Sequence, residues 1–261
     1  MKNKETIETY HFIKNDLTIK TVQKYKLPKK LLSKGTNNAK TAKNNYPTYI
    51  LYMAPYTQNY KGINLCPKAS DGCAAACLFT AGRGKFSNVM NARINKANYF
   101  VSNKKAFIWQ LAAELVKINR LAKQTTLIRL NGTTDVDFVY LLKKYSNLDI
   151  SDLTMLKFYD YTKVLQRALR YKNHPRYKIT FSRSEDNEEQ CIEALKQGIN
   201  VAAVFNGYLP DQYKGFNVVD GDISDNEMLY YNGVVLGLKA KGQAKKDNSN
   251  FVIKTQVTIL N

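Results

Sequence analysis

The chain has 261 residues, of which 44% are hydrophobic and 11% aromatic, so it can bury one large core and is not a disordered chain. It has no apolar run of membrane-spanning length, no apolar signal segment at the amino terminus, and too few cysteines (four) for a disulfide scaffold. The formal net charge is +19, and a field this positive attracts polyanions. We therefore expect a cytoplasmic protein with no membrane association and with nucleic acid or a nucleotide as partner.

Residues 1–47 are predicted to form a basic N-terminal extension, because they hold 11 Lys against three acidic residues. This extension is either a nucleic-acid-binding arm or a solvated leader. Residues 48–261 contain no repeat and no low-complexity linker, so we expect them to form a single domain.

From residue 48 onward, short apolar, β-branched runs alternate with helical patterns. The predicted strands are Thr48–Met53, Thr126–Leu130, Leu153–Tyr159, Tyr177–Phe181, Asn200–Phe205, Phe216–Val219 and Val234–Leu238, with a last extended run at Phe251–Leu260. The predicted helices are Asn88–Val101, Lys104–Ala122, Val136–Tyr145, Thr162–Tyr171 and Glu188–Gln197. This alternation predicts an α/β fold with a parallel sheet, either a complete or partial (β/α) barrel or a doubly wound open sheet.

Polar or charged residues follow nearly every predicted strand. Because the carboxyl ends of parallel strands share one edge of the sheet, we expect these side chains to surround one pocket. The candidates for binding an anionic substrate or cofactor are Arg129, Asn131, Ser182, Arg183, Lys239 and Lys241. The candidates for proton transfer or hydroxyl binding are Asp135, Tyr159, Asp160, Lys163, Glu185, Asp220 and Asp222, and Tyr159 and Tyr161 could also stack on a base. The alternative is that these residues are ordinary polar residues of surface loops and helix caps.

Three of the four cysteines lie within twelve residues, with the spacing C-x6-C-x3-C: Cys66, Cys73 and Cys77. Three thiolates suit a [4Fe–4S] cluster with one open iron, whereas zinc usually takes a fourth ligand. Unliganded or redox-active thiols are the third alternative. The fourth cysteine, Cys191, falls on the apolar side of a predicted helix and is expected to be a core thiol.

A glycine-flanked cation, Arg83 between Gly82 and Gly84, follows the cysteines and could cradle a phosphate or carboxylate. The alternative is a loop that uses glycine for positive φ. Residues 85–123 then interleave basic residues with Tyr99, Phe100, Phe107 and Trp109, a mixture that binds single strands when it is exposed and forms core when it is buried.

Six segments together resemble a phage protein family labelled gene product 88. They are Leu65–Lys85 (LCPKASDGCAAACLFTAGRGK), Ile128–Asp135, Phe158–Lys163, Thr180–Glu185, Val201–Phe205 and Gly237–Gly242, within a match of about residues 45–255. The resemblance implies a viral protein that works inside the host cell. That family is distantly similar to radical-SAM barrels, which would make Cys66, Cys73 and Cys77 cluster ligands and S-adenosylmethionine a possible cofactor. Those enzymes typically carry C-x3-C-x2-C rather than the spacing found here.

Three functions are compatible with these patterns. The first is an iron–sulfur, radical-SAM-like enzyme acting on a nucleic acid or nucleotide. The second is a basic DNA- or RNA-binding phage protein with a structural metal. The third is a metal-dependent nuclease using Glu185, Asp220, Asp222 and Asp225. A host protein remains a further possible partner.

Overall fold

The computed structural model describes residues 25–37, 41, 45–77, 82–224 and 227–255. Within these residues the strands are β1 Leu32–Lys34, β2 Thr48–Leu51, β3 Thr126–Arg129, β4 Leu156–Thr162, β5 Tyr177–Ser182, β6 Val201–Phe205, β7 Gln212–Tyr213, β8 Phe216–Asp220, β9 Val235–Lys239 and β10 Val252–Ile253. The α-helices are α1 Asp71–Ala75, α2 Ser87–Ser102, α3 Lys104–Leu121, α4 Phe138–Ser146, α5 Leu165–Tyr171 and α6 Glu188–Lys196.

The α/β prediction is confirmed. Every strand predicted between residues 48 and 238 and every predicted helix is present, with bounds that differ by at most three residues. Three short elements were not predicted from the sequence: β1, β7 and α1. Of the last predicted run, only β10 lies in the described part, and residues 256–260 lie outside it.

The ten strands of the described residues form a mostly parallel sheet whose order has two ends, β1 and β7. The sheet is therefore open, and these strands do not form a complete closed barrel. No helix among the described residues is both long enough and apolar enough to cross a membrane.

The chain divides into two compact units. The first consists of residues 1–35, 46–67 and 86–158, and the second of residues 36–45, 68–85 and 159–261. The division falls inside β4, after Phe158. Gly35 and the described residues before it, which the sequence predicts to be part of an extension, belong to the first unit.

In the first unit, β1 pairs antiparallel with β2, and β2, β3 and β4 run parallel. Three aromatic rings form the centre of its helical layer: Phe100 from α2, Phe107 from α3 and Phe138 from α4. The Phe100 and Phe107 centroids are 5.2 Å apart, and those of Phe100 and Phe138 are 5.7 Å apart. All three side chains are buried, so the helices are held by apolar packing.

A pair of charged side chains inside the first unit binds the backbone just before and at the start of β1. The Glu114 carboxylate accepts the N–H groups of Leu31 at 2.7 Å and of Leu32 at 3.0 Å. Lys96 Nζ donates to the Leu31 carbonyl at 2.6 Å. Burial raises the pKa of Glu114 and lowers the pKa of Lys96 to about 8, the Glu114 charge acting on Lys96 in the opposite direction. These two ionisable groups are thus used to fix a strand.

Two amides continue the same set of contacts toward the amino terminus. Asn95 pairs with both backbone groups of Lys26, its Oδ1 accepting at 2.7 Å and its Nδ2 donating at 2.6 Å. Gln110 Nε2 donates to the Pro28 carbonyl at 2.9 Å. Together with Lys96 and Glu114 they form what we call the backbone clamp: four side chains of α2 and α3 that bind the main chain of residues 26–32.

In the second unit, β5, β6, β9 and β8 run parallel in that order, and β7 pairs antiparallel with β8. Strand β10 pairs parallel with the last residues of β6, with Val252 opposite Val204. The run Val201–Phe205 is almost wholly buried, as expected for a central parallel strand covered on both faces. The carboxyl ends of β5, β6 and β9 therefore lie side by side within this unit.

Candidate functional site

The cysteine-bearing helix α1 belongs to the second unit and is anchored through Glu185, which follows β5. The Glu185 carboxylate accepts a hydrogen bond from Ser70 Oγ at 2.7 Å and another from the Gly72 N–H at 2.7 Å. Ser70 in turn caps α1 by accepting the N–H of Cys73 at 3.2 Å. The Ser-Asp-Gly sequence before Cys73 therefore positions that cysteine backbone relative to the end of β5.

Gly72 is required by a close approach rather than by its φ. A Cβ built on Gly72 would lie 2.7 Å from Glu185 Oε1 and 2.9 Å from the Cβ of Phe251, and it would overlap Ser249 Oγ. Only a residue without a side chain lets α1 sit this close to the Glu185 carboxylate and the residues before β10.

The other end of α1 is fixed by apolar packing. Ala76 belongs to a buried cluster with Ala240, Ala244 and Val252, against which Val204 and Phe251 pack. Val204 lies near the carboxyl end of β6, and Ala240 directly follows β9. The segment with Cys73 and Cys77 is therefore seated at the carboxyl ends of the second unit's parallel strands, the edge that the sequence predicts to be functional.

None of the three clustered cysteines forms a disulfide, and all three are partly exposed to solvent. Cys73 and Cys77 lie in the second unit, and Cys66 lies in the first. As donors, three accessible thiols suit a soft metal or an iron–sulfur cluster. Among the described residues, however, no group of three or more His, Cys, Asp or Glu is arranged to hold a metal ion. The metal ligands stay a prediction.

Cys191 is a buried thiol in α6. Its Sγ donates to Asn187 Oδ1 at 3.4 Å, and burial together with the charge of Glu188 raises its pKa to about 12. A thiol with this pKa stays protonated at neutral pH and is a poor metal ligand. The sequence-based interpretation of Cys191 as a core thiol agrees with this position.

Arg183, predicted to bind an anionic ligand, makes its contacts inside the protein. Its Nε donates to Glu188 Oε2 at 3.0 Å, and its Nη1 donates to the carbonyls of Asn250 and Phe251 at 2.9 and 3.0 Å. Its side chain is only 9% exposed. Arg183 therefore ties the residues before β10 to the start of α6, a structural role that sequence reasoning missed.

The acidic residues at and after the end of β8 pair with the lysines at and after the end of β9. Asp222 Oδ1 accepts from Lys241 Nζ at 2.7 Å, and Asp220 Oδ2 lies 3.8 Å from Lys239 Nζ. Asp222 Oδ2 also accepts the Lys239 N–H at 2.9 Å. These four predicted site residues are brought together, but as opposite charges that compensate one another. Asp225, the further nuclease candidate, lies outside the described residues.

The remaining candidates of the second unit differ in exposure. Tyr159 and Asp160 on β4 are buried, and Asp160 Oδ2 accepts from Tyr177 Oη at 3.3 Å. Lys163 is partly exposed and lies with its Nζ 5.7 Å from the Phe251 ring centroid. Ser182 contributes its carbonyl, which accepts from Asn187 at 3.0 Å. Arg83 lies in a short 3₁₀ turn, Gly82–Lys85, and its side chain lies outside the described residues.

The first unit holds the other predicted site residues, and their polar groups organise loops. Asn131 is buried: its Oδ1 accepts from Thr134 Oγ1 and the Val136 N–H, and its Nδ2 donates to the Val136 carbonyl. The Asp135 N–H donates to the Leu65 carbonyl at 2.9 Å. Cys66 Sγ is 3.8 Å from the Thr133 carbonyl. The loop after β3 thus holds the segment that carries Cys66.

Arg129 is a partly buried side chain at the end of β3. Three residues later, Gly132 allows the Tyr52 ring to lie close to the backbone, because a Cβ on Gly132 would be 2.6 Å from Tyr52 Cδ1. The Arg93 guanidinium stacks on the same tyrosine, with its Cζ 4.7 Å from the ring centroid. Sequence reasoning did not single out this arginine–tyrosine stack, because residues 52 and 93 are far apart in the chain.

The fold and these side chains define an α/β protein with a mostly parallel open sheet and a cysteine-bearing helix at strand carboxyl ends. A family model described as "Gene product 88" matches residues 29–255. The chain therefore belongs to the gene product 88 family of phage proteins, as its motifs predict. No curated protein and no solved structure matches the chain.

Proposed function

We propose that this phage protein binds nucleic acid through its first unit. The observation that carries this proposal is the uneven distribution of charge. The first unit holds 21 Lys and Arg against 8 Asp and Glu, a net +13, whereas the second holds 19 against 13, a net +6. An excess concentrated on one unit favours a polyanionic partner over general surface charge.

The position of the acidic residues supports the same proposal. Between Asp16 and Glu114 the first unit has no Asp or Glu, while 11 Lys and Arg fall there. Glu114 itself is committed to the backbone clamp. The exposed lysines of this stretch include Lys61, Lys104 and Lys105. A nucleic-acid backbone would supply the missing negative charge and release its own counterions.

The binding test uses the full chain and labelled oligonucleotides, single-stranded DNA, duplex DNA and single-stranded RNA, in fluorescence anisotropy titrations from about 50 to about 200 mM salt. We expect log K to fall linearly with log salt, with a slope of about −0.7 for each phosphate contact on a single strand. Absence of binding to all three at the lowest salt would overturn the proposal.

A second candidate function is the iron–sulfur, radical-SAM-like enzyme, on a partial (β/α) barrel, acting on the same class of substrate. It is favoured by the anchoring of α1, since Glu185, Gly72 and Ala76 fix Cys73 and Cys77 at strand carboxyl ends. In that case Cys66, Cys73 and Cys77 would hold the cluster, which would supply redox chemistry at an open iron. Zinc in the same place would be structural, and S-adenosylmethionine would be a cofactor only for the cluster form.

Anaerobic purification followed by iron, sulfide and zinc assays tests this second candidate. The informative variant is Cys73→Ala, and Cys191→Ala is its control because Cys191 is a buried thiol outside the cluster. Brown protein whose iron is lost in Cys73→Ala and kept in Cys191→Ala supports the enzyme. Zinc in place of iron supports a structural metal, and absence of any bound metal rejects the candidate.

A further inference from the structure

The four aromatic residues that the sequence analysis names among the basic residues of 85–123 are not exposed for stacking on a base. Tyr99, Phe100 and Phe107 are buried in the helical layer of the first unit, and Trp109 is partly buried. An aromatic ring that is exposed among lysines lies instead on the loop before Cys66. It belongs to Tyr60, which is 40% exposed.

Tyr60 is held firmly against the end of α2. Its N–H donates to Asn98 Oδ1 at 2.9 Å, and its Oη accepts from Ser102 Oγ at 3.0 Å. The buried Asn59 fixes the loop around it by accepting the N–H groups of Lys61 and Ile63 and donating to the Ile63 carbonyl at 2.7 Å. A ring positioned by both its backbone and its hydroxyl loses little further freedom when a ligand stacks on it.

Three exposed lysines lie next to this ring or at the same end of α2. Lys61 Nζ is 5.7 Å from the Tyr60 ring centroid and donates to the Val101 carbonyl at 2.9 Å. Lys104 Nζ is 5.4 Å from the ring centroid of Phe100, and Lys105 follows it at the start of α3. Over the described ranges, none of the three lysines pairs with a carboxylate. No carboxylate in the described part of the chain therefore compensates their charge, unlike that of Lys239 and Lys241.

We propose that Tyr60, Lys61, Lys104 and Lys105 form a contact site for single-stranded nucleic acid. An unpaired base stacks on the Tyr60 ring, and the lysines contact the flanking phosphates. This inference rests on the proposed nucleic-acid binding and specifies its place and strandedness. A single strand is favoured over a duplex because the exposed face of an aromatic ring contributes only where bases are unstacked.

The test of stacking compares Tyr60→Ala and Tyr60→Phe in anisotropy titrations with single-stranded and duplex DNA. We expect Tyr60→Ala to weaken single-strand binding about tenfold and to leave duplex binding within about twofold. Tyr60→Phe keeps the ring, so it should bind single strands within about twofold of the unchanged protein. Tyr208→Ala, which removes another half-exposed tyrosine from the second unit, is the control and should have no effect.

The test of the lysines compares Lys104→Ala/Lys105→Ala with Lys245→Ala/Lys246→Ala, which makes the same charge change at adjacent exposed lysines of the second unit. We expect the first pair to reduce the salt slope on single strands by about 1.4, corresponding to two phosphate contacts, and the second pair to leave it unchanged.

Two different failures can be told apart. If the unchanged protein binds no nucleic acid, the proposed function fails. If it binds with a steep salt slope but Tyr60→Ala binds single strands as tightly as the unchanged protein does, the proposed function survives and this contact site is rejected. Equal losses in Tyr60→Ala and Tyr60→Phe would also reject stacking, since only the hydroxyl contact to Ser102 distinguishes Phe from Tyr.

Discussion

The two units use the same charged residue types for different purposes. In the second unit, Asp222 compensates Lys241 and Glu188 compensates Arg183, at or near strand carboxyl ends. In the first unit, Glu114 and Lys96 are partly buried and bind backbone groups, while many exposed lysines face solvent. The comparison teaches that net charge alone does not locate a binding surface. What matters is which cations the protein leaves without a carboxylate.

The largest effect is expected from Gly72→Ala in the second unit. The new Cβ would displace Glu185 and Phe251, so we expect the free energy of unfolding to fall by about 4 kcal/mol, from overpacking and lost hydrogen bonds. Chemical denaturation measures the loss, and faster thiol modification of Cys73 reports the release of α1. Ala75→Gly, at an exposed position of the same helix, is the control and should cost about 1 kcal/mol. Equal losses in the two variants would mean that Glu185 does not anchor α1.

The second prediction concerns pH and Lys96, the partly buried lysine of the backbone clamp. Burial lowers the pKa of Lys96 to about 8, so between pH 8 and 10.5 the folded protein binds fewer protons at this site than the unfolded chain. The free energy of unfolding therefore rises with pH over this range. The stability that it gains is complete above pH 10.5, the pKa of Lys96 in the unfolded chain, and is lost as the pH falls through the folded pKa of about 8, a change of about 3 kcal/mol. Subtracting the unfolding free energies of Lys96→Met from those of the unchanged protein across this range isolates the effect. A constant difference would contradict the burial of a charged lysine.

A smaller effect is expected from removing the acidic member of the backbone clamp. Glu114→Ala leaves the N–H groups of Leu31 and Leu32 without their acceptor, at a cost of about 2 kcal/mol. Glu114→Gln keeps an acceptor oxygen and removes a buried charge, so it should cost less than Glu114→Ala. Hydrogen exchange at the two leucine amides should be faster in Glu114→Ala. Asp152→Asn, which changes an exposed carboxylate of the same unit, is the control. If it lowered the free energy of unfolding as much as Glu114→Ala does, the effect of Glu114→Ala would not come from its contacts to Leu31 and Leu32.

The smallest effect is expected from the exposed ion pairs of the second unit. Lys239→Ala breaks a contact of 3.8 Å to Asp220 between side chains that are 51% and 33% exposed. Such pairs are worth about 0.5 kcal/mol or less. Thermal unfolding should therefore change by at most a few degrees, and the change should shrink at high salt. A loss above about 2 kcal/mol would mean that this ion pair stabilises the fold as strongly as a buried pair does.

Most strands and helices could be predicted because their signal is local. Val201–Phe205 shows a continuous apolar run, and α3 shows a long helical pattern bounded by Asn103, whose side chain caps it. The short strand β1 could not be predicted, since Leu32–Lys34 has no alternation of its own. It depends on pairing with β2 and on Glu114, a residue 82 positions away.

The sequence predicts where the polar residues lie along the strands, but not the contacts that they make. Polar residues after each strand correctly indicate the carboxyl ends of the strands, where Glu185 and the cysteine-bearing helix do lie together. The pattern could not show that Arg183 and Asn131 make internal hydrogen bonds. Arg183 donates to backbone carbonyls 67 and 68 residues further along the chain, and Asn131 bonds mainly to the backbone of its own loop, contacts that only the folded chain creates. Nor could it show that Tyr60 is exposed while Tyr99, Phe100 and Phe107 are buried, because exposure depends on how α2 and α3 pack.

The backbone clamp also sets how freely its segment can change through evolution. Asn95, Lys96, Gln110 and Glu114 recognise carbonyl and N–H groups of residues 26–32, which every amino acid but proline supplies in full. Side chains in this segment can therefore drift without disturbing these contacts, provided that no proline replaces a residue whose N–H is bound, as at Leu31 and Leu32. Among related phage proteins, the four helix residues should then be retained while the segment that they hold diverges.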